Sequence, residues 1–502
     1  MKRIIIILLT ATAILLTSTA EAQFNETNNL FYNTFRTPQS NMLNPAFFPN
    51  KNTMYLQLPS FGINFGFPLS INDIAKVEKQ NDGSNITVID IDNMLNTLTE
   101  ENRFRLGMDI NLLGFGFKIH HTFVTFNTKV RGDFNFGLPI DMINTLRQGN
   151  ARTVNGVETP VSQMVLAGGD IFNTQFYSEI SVGVGHYFKP INLTVGAHAK
   201  LLYGVLNVNL DNTNIVLNTY GNNFDRLQID AYYELQAASA IPFDTTGGFS
   251  IGKFSPGDLI NLDNSNTGMA FDIGAKYDLG PFSFSFSILD ISSGIHWKNN
   301  VGIINPVNGH DTMSFAGIAF NELLNDGTMN TDTMVSALTN FVDNLKPSIH
   351  LGGDYWYSVP ARVNLGATYN FAKMLRVGVL FHGQLDRGFF PKKGTTLVGT
   401  VSDIKNTFRW NTTFSLGVNV FNWIELIAGS SIVSDGSGSF NFMDNIVNPG
   451  VGIVLTPGTA VQMYFMADYV SSIYVTQAKA FNIKTGVNIL IGHGGGSRIS
   501  KN

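Results

Sequence analysis

Apolar and polar residues alternate with period two over much of this chain. Val124, Phe126, Val130, Phe134 and Phe136 fall on one face of a continuous segment, and Thr125, Asn127, Lys129, Arg131, Asp133 and Asn135 fall on the other. Successive side chains of a strand point to opposite sides, so this pattern predicts a strand with one greasy and one wet face. It returns at 191–201, 282–288 and 363–369, and further segments that fit are 53–67, 103–119, 176–189, 203–211, 226–238, 268–279, 347–358, 374–384, 407–421, 423–433, 448–456, 460–470 and 480–491. Many are about ten residues long, the length a tilted strand needs to cross the hydrocarbon of a bilayer. Leu279-Gly-Pro281, Ser358-Val-Pro360, Phe421-Asn-Trp423 and Pro457-Gly458 are short turn signals between strands of the second half. Such turns imply an up-and-down antiparallel order. Aromatics gather near segment ends, at Tyr355-Trp-Tyr357, Phe389-Phe390, Phe421 with Trp423, and Tyr464 with Tyr469, where interfacial girdles would lie.

Other stretches follow a helical period. Ile91, Met94, Leu95 and Leu98 share one face of a short amphipathic helix, as do Val335, Leu338, Phe341, Val342 and Leu345. A third helix is predicted from Pro139 to Gln148, with Pro at its start and Gly149 after it. The regions 239–267 and 299–315 read as long exposed loops.

Composition sharpens this picture. Only 14% of the 502 residues are charged while 44% are hydrophobic, with 49 Gly and 40 Phe, too few charges to cover a soluble protein of this size. The competing arrangement is a soluble β-sandwich or large β-helix whose apolar face is an interior core. Lys2 and Arg3, the apolar run Ile4 to Leu16, and Ala20-Glu21-Ala22 form a secretory signal with cleavage expected before Gln23. Beyond it no apolar run is long enough for a spanning helix, which leaves a closed barrel as the way to cross a membrane. Without the signal the net charge is about −6, which gives no support to nucleic-acid binding. The absence of cysteine excludes disulfides, thiolate chemistry and a lipidated N-terminal Cys.

Candidate chemistry is sparse. His120 and His121 are adjacent, so on a strand their rings point apart, and no His-x-x-x-His or other zinc spacing occurs. Asp90-Ile-Asp-Asn93 reads as a solvated turn or a helix cap rather than a calcium loop. Gly114-Phe-Gly116 and Gly183-Val-Gly185 lie within alternating runs, where small residues make room for side chains in a lumen. The polar candidates on the inner side are Lys129, Arg131, Asp133, His198, Lys200, Arg376 and His382, expected to satisfy one another and a plug by ion pairs and hydrogen bonds. No catalytic residue, metal ligand or cofactor is expected.

Ser40-Asn-Met-Leu-Asn-Pro-Ala-Phe-Phe-Pro49 stands ahead of the first strand. Its Asn44-Pro45-Ala46 core resembles the start of long-chain fatty acid transporter (FadL-like) barrels and of the PorV-like barrels tied to type IX secretion. Asn266 to Tyr277, Phe284 to Ile291 and Gly294-Ile-His-Trp297 are similar to a family of uncharacterised outer-membrane barrels in the phylum that carries that secretion system. The resemblance implies fourteen strands and an N-terminal segment folded into the lumen as a hatch, with Asn44, Pro45 and Ala46 as its motif. Lys484-Thr-Gly-Val-Asn-Ile-Leu-Ile491 fits the spacing of a barrel's closing strand, with Ile491 where an aromatic is usual.

These readings converge on an all-β, transmembrane, antiparallel up-and-down barrel of about 14 strands with a few short loop helices. Its expected organisation is a signal peptide at 1–22, a hatch at 23–52, the barrel at 53–491 and a tail at 492–502. The expected place is the outer membrane of a Gram-negative bacterium. The function expected first is a channel or transporter for hydrophobic or amphipathic small molecules, and second a non-catalytic scaffold in a secretion or surface-attachment complex. Outer-membrane lipid is the expected neighbour, with a hydrophobic small-molecule ligand or a secretion-complex protein as partner and no nucleic acid. A transporter predicts a lateral opening or a lumen pocket lined by apolar residues near Asn44 to Phe48.

Overall fold

The computed structural model describes residues 29–34, 37–48, 54–67, 69–79, 84–98, 101–139, 151–154, 157–160, 164–167, 172–220, 226–241, 243–244, 250–251, 265–306, 311–316, 324–325, 328–329, 347–371, 374–385, 408–421, 423–433, 449–458, 460–468 and 480–492. The signal segment, the tail beyond Gly492 and the helix expected around Val335 to Leu345 lie outside them.

In hydrocarbon each strand's backbone must find partners on both sides, and the wall meets that demand by closing on itself. It comprises β1 (Met54–Gln57 continued by Ser60–Gly66), β2 (Glu101–Ile119), β3 (Thr122–Pro139), β4 (Phe172–Phe188), β5 (Leu193–Tyr220), β6 (Thr267–Leu279) and β7 (Phe282–Trp297). It continues with β8 (Tyr355–Tyr357 and Ala361–Asn370), β9 (Leu375–Leu385), β10 (Phe408–Phe421), β11 (Ile424–Val433), β12 (Pro449–Leu455), β13 (Val461–Asp468) and β14 (Ala480–Ile491). Each pairs antiparallel with the next, and β14 pairs with β1 in the register Met54 opposite Ile491 and Phe61 opposite Thr485, so fourteen strands close the ring.

Six connections are short: β2 to β3, β4 to β5, β6 to β7, β8 to β9, β10 to β11 and β12 to β13. All lie at one end, together with the start of β1 and the end of β14. Left-handed residues serve four of these reversals, His120, Asn192, Gly280 and Gly458 each having φ between 52° and 76°. The long connections lie at the other end. In outer-membrane barrels tight turns face the periplasm and long loops face outward.

The outer face is apolar and in phase with the alternation. Val182 and Val184 of β4, Phe271 and Ile273 of β6, Phe282, Phe284 and Phe286 of β7, Phe414 and Leu416 of β10, and Met463 and Phe465 of β13 are all exposed, while Ser285, Ser287 and Asp272 between them are buried in the lumen. A ladder of ring contacts crosses five neighbouring strands near the long-loop end, from Phe481 through Phe65, Phe104 and Phe134 to Phe172, with centroids 5.3 to 5.9 Å apart. At the tight-turn end Phe282, Tyr369, Phe371, Phe421 and Trp423 form the opposite row. From Phe481 to Ile491 a strand tilted by about 40° and rising about 3.3 Å per residue covers about 25 Å, the height of an outer-membrane apolar band.

Some expectations need correction. Tyr464 faces inward, buried at 2% exposure with its ring edge-on to Phe31, and Tyr355 is buried in an inner cluster with Trp297 and Tyr177; neither belongs to a girdle. Phe389, Phe390 and Tyr469 lie outside the described residues. The region 299–315 is not simply loop: Val301–Pro306 and Asp311–Ala316 are strands paired with Arg226–Ser239. They pair because β5 changes partner. Up to Tyr203 it lies against β6, and from Leu206 to Tyr220 against Arg226–Ser239, which raises a sheet beyond the rim of the ring. Pro139 ends β3 opposite Glu101 instead of starting a helix, and 140–148 is not among the described residues. Within 239–267 a short hairpin pairs Phe243–Asp244 with Ser250–Ile251. The helix expected at Ile91 is present as Ile91–Thr97, with Asp90 as its cap accepting from the Asn93 N–H at 3.1 Å.

The outward reading of the apolar face makes a direct demand. Phe284→Arg places a cation toward acyl chains and is expected to destabilise the barrel by about 2–4 kcal/mol, read by reversible unfolding in lipid vesicles. An unchanged stability would mean that this face does not meet lipid.

Candidate functional site

The lumen is filled from two directions, by the wall and by the N-terminal segment. Asn29–Asn33 and Pro38–Met42 are 3-10 turns inside the barrel, and every residue of the first is buried. Wall glycines leave the room: a Cβ at Gly196 would strike the Pro45 carbonyl, one at Gly274 the Asn44 side chain, one at Gly366 the Tyr32 ring and one at Gly429 Leu30. Gly114 and Gly183 instead make room for wall side chains, Asn127 and Gln57 at the first, His198 and Thr125 at the second.

Polar groups tie the segment to the wall at several places. The Asn29 side chain donates to Asn411 Oδ1 at 2.8 Å and Thr413 Oγ1 at 3.0 Å, and its backbone N–H to Asp468 Oδ2 at 3.2 Å. Arg376 donates to the Thr34 carbonyl at 2.9 Å and to Asn370 Oδ1 at 2.9 Å. Gln39 and Asn488 exchange side-chain bonds at 2.9 and 3.0 Å. Asn44 Nδ2 donates to the carbonyls of Ala275 at 3.2 Å and Phe286 at 3.0 Å, while its Oδ1 accepts from the Ala46 N–H at 2.8 Å. Next to it, the Leu43 carbonyl accepts from Ser287 Oγ at 2.6 Å and Asn364 Nδ2 at 2.8 Å. Thus Asn44, Pro45 and Ala46 sit against β5, β6 and β7, Asn44 by its amide and Pro45 by its close approach to a glycine.

On the long-loop side of this segment lies a buried ionic network. Lys200 Nζ reaches Asp290 at 2.6 Å, Asp272 at 2.7 Å and Glu179 at 3.7 Å. Arg131 bridges Asp290 at 3.1 Å and Glu179 at 3.5 Å, with its guanidinium over the Tyr177 ring. Arg362 also pairs with Asp290, and Lys129 with Glu179 at 3.3 Å. His198 joins network to segment, its Nδ1 2.8 Å from Asp272 and its Nε2 3.0 Å from Asn41 Oδ1. A separate pair, Lys484 with Asp109 at 2.9 Å, lies on the β2 and β14 side.

Of the residues expected in the lumen, the structure brings Lys129, Arg131, His198 and Lys200 into one network. Asp133 is half-buried one inward position further along β3, opposite Gln175. His382 is buried and bonded through Nδ1 to Asn364 Oδ1 at 2.6 Å, next to the Leu43 anchor. Arg376 stands apart, near the tight turns. The sequence reading missed Glu179, Asp272, Asp290 and Arg362, the partners that balance those cations, and the N-terminal segment's contacts through Asn29, Tyr32, Gln39 and Asn41. A catalytic triad would need a hydroxyl on the His198 nitrogen opposite Asp272, and Asn41 occupies that position.

A cavity of about 330 Å³ remains between the segment and the tight turns. Tyr32, Ala46, Phe47, Phe48 and Phe123 supply its apolar side, with Phe48 stacked on Phe123 at 4.8 Å. Tyr32 bonds Ser285 Oγ through its hydroxyl at 2.9 Å. Hydroxyls including those of Thr37, Ser40 and Thr368 and the charged groups Lys118, Lys276, Asp278 and Arg376 also line it.

The model of DUF5723, a family of unknown function, matches residues 45–468. The chain belongs to that family. No curated protein matches it. Among solved structures the DUF5723 barrel is similar to the Ralstonia pickettii toluene transporter TbuX, at 9% identity over 93% of this chain and 97% of that one, with a TM-score of 0.41. It is similar to the Pseudomonas putida toluene transporter TodX at 9% identity, over 94% and 98% of the two chains, with a TM-score of 0.40. A Pseudomonas aeruginosa FadL homologue matches at 8% identity over 93% and 98%, with a TM-score of 0.38.

Two outcomes follow for the DUF5723 barrel. Asp290→Asn leaves Arg131, Lys200 and Arg362 with a weakened shared acceptor, and removing one partner of a buried charge cluster costs about 3–5 kcal/mol, so the unfolding midpoint in denaturant is expected to fall. Gly366→Leu displaces Tyr32 and is expected to loosen the segment, seen as raised single-channel conductance in planar bilayers over the native protein.

Proposed function

We propose that this protein is an outer-membrane conduit, exported with a cleaved signal peptide, that binds an amphipathic small molecule beneath its N-terminal hatch and hands it across without chemical change. The observation that carries the reading is the cavity of about 330 Å³ against Ala46, Phe47 and Phe48, where the transporter reading expects a lumen pocket. Sites for small molecules are concave, mostly pre-formed, and combine apolar walls with a few placed polar groups. Here the polar share favours an amphipathic over a purely hydrophobic ligand. The hatch is held by side-chain hydrogen bonds and by packing on glycines, contacts that can be exchanged without breaking the wall.

A second reading, a scaffold in a secretion or surface-attachment complex, draws support from the sheet that β5 and Arg226–Ser239 raise beyond the ring. The two separate in one experiment. Native mass spectrometry after gentle solubilisation is expected to show a bound lipid-like molecule, lost in Ala46→Trp, whose indole fills the cavity. A stoichiometric protein partner with an empty cavity would favour the scaffold and sink the conduit.

A further inference from the structure

The cavity is bounded unequally at its two ends. Towards the long loops stand first the hatch residues Asn41, Leu43 and Asn44 with their bonds to His198, Ser287 and Asn364, and then the ionic network around Asp290. An apolar or amphipathic body cannot cross that layer without separating buried charges from their partners, each separation leaving an uncompensated ion. Towards the tight turns there is no such layer among the described residues. The wall residues that line the cavity belong to the last few positions before or after those turns, in β2, β3, β4, β5, β6, β7, β8 and β9. His121, in the turn between β2 and β3, is exposed and also lines it, so the cavity meets solvent at this end.

The charge at that mouth is one-sided. Lys118, Lys276 and Arg376 face a single lining carboxylate, Asp278, although the whole chain is acidic. Asp278 is already engaged by Lys276 at 2.8 Å, and Arg376 holds the Thr34 carbonyl and Asn370. Lys118 has no ion-pair partner among the described residues. It lines the cavity beside the aromatic side, directly across the β2–β3 ladder from Phe123, the ring on which Phe48 stacks.

We infer that the cavity is a binding site for a small anionic amphiphile that enters from the tight-turn, periplasmic end, with its carboxylate, sulfonate or phosphate at Lys118 and its apolar body against Phe47 and Phe48. This rests on the conduit reading, and it adds both the sign of the head group and the side of entry. The outward-facing half of the lumen is then a barrier that the ligand meets last, so the protein draws from the periplasm.

Two dyes that differ by one sulfonate test the head group: 8-anilinonaphthalene-1-sulfonate and its neutral parent N-phenyl-1-naphthylamine, titrated by fluorescence against the full chain in amphipol. The anionic dye is expected to saturate at one site, to bind at least tenfold more weakly to Lys118→Glu, and to bind Lys118→Arg nearly as the native chain; the neutral dye is expected to be indifferent to both changes. Equal response of the two dyes overturns the anionic assignment and leaves the conduit standing, whereas failure of both dyes to bind overturns the conduit reading with it. The side of entry is read separately, because the chain has no cysteine of its own. Lys118→Cys is expected to react with a maleimide on a 5 kDa polyethylene glycol only after the outer membrane of a Gram-negative host is permeabilised, and to be protected by the anionic dye. Labelling of intact cells would place the mouth outside and overturn the direction.

Discussion

The pairing of β14 with β1 is the constraint on which the remaining features rest. A sheet in hydrocarbon cannot keep a free edge, because each unpaired N–H or carbonyl there costs several kcal/mol, on the order of a lost hydrogen bond in an apolar medium. Closure divides every strand into an outer and an inner set of residues. The outer set meets lipid and is apolar. The inner set is polar and enclosed, so its charges must find partners within the lumen. Lys200, Arg131, Lys129 and Arg362 meet that requirement with Asp290, Asp272 and Glu179, and His198 extends the network to Asn41 of the hatch. A buried ionic cluster of this kind adds little net stability over an apolar filling, but it is costly to leave half-made. It therefore fixes which groups face each other more than it strengthens the fold.

The N-terminal segment inside the lumen is a consequence of the same enclosure. A ring of fourteen strands is too wide for its own side chains to fill, and residues 29–34 and 37–48 occupy part of the remaining space. Glycines at 196, 274, 366 and 429 bring the backbone and side chains of that segment close to the wall. Asn29, Arg376, Gln39 and Asn44 then supply hydrogen bonds at separate heights. The volume beside Phe47 and Phe48 is left unfilled. Its position between a charged layer and the open turns gives the lumen a polarity along its axis.

Much of this was legible in the residue pattern, and the failures have particular causes. Alternation located the wall strands and the lumen positions of Lys129, Arg131, His198 and Lys200. Glu179 was equally readable, since it lies in phase with Gly183 and Gly185 across the exposed Val182 and Val184, and Asp272 is in phase between Phe271 and Ile273. Asp290 was not. Strict period two sends it outward with Phe284, Phe286 and Ile288. The register between β6 and β7 instead slips between Phe271 and Ile273, and Asp290 takes φ 57°, a left-handed conformation that Asp tolerates better than most residues. That bulge turns the central anion of the network into the lumen. Tyr464 and Tyr355 were misplaced for a related reason: position near a segment end said nothing about which face they occupied. The strands at 301–306 and 311–316 were missed because they pair with a strand beyond the ring.

The length of β5 has a mechanical consequence. It runs unbroken for 28 residues, nearly three times the roughly ten that a tilted crossing requires. Its far part is hydrogen-bonded to Arg226–Ser239 along the whole distance, forming a stiff blade in place of a slack tether. A load applied at the tip is borne by continuous backbone down to Gly204, whose amide is bonded to the Asn266 carbonyl where β5 exchanges one neighbour for another. Force at the tip thus reaches the wall where β5 changes partner, a few residues from Lys200 and the charges it holds together.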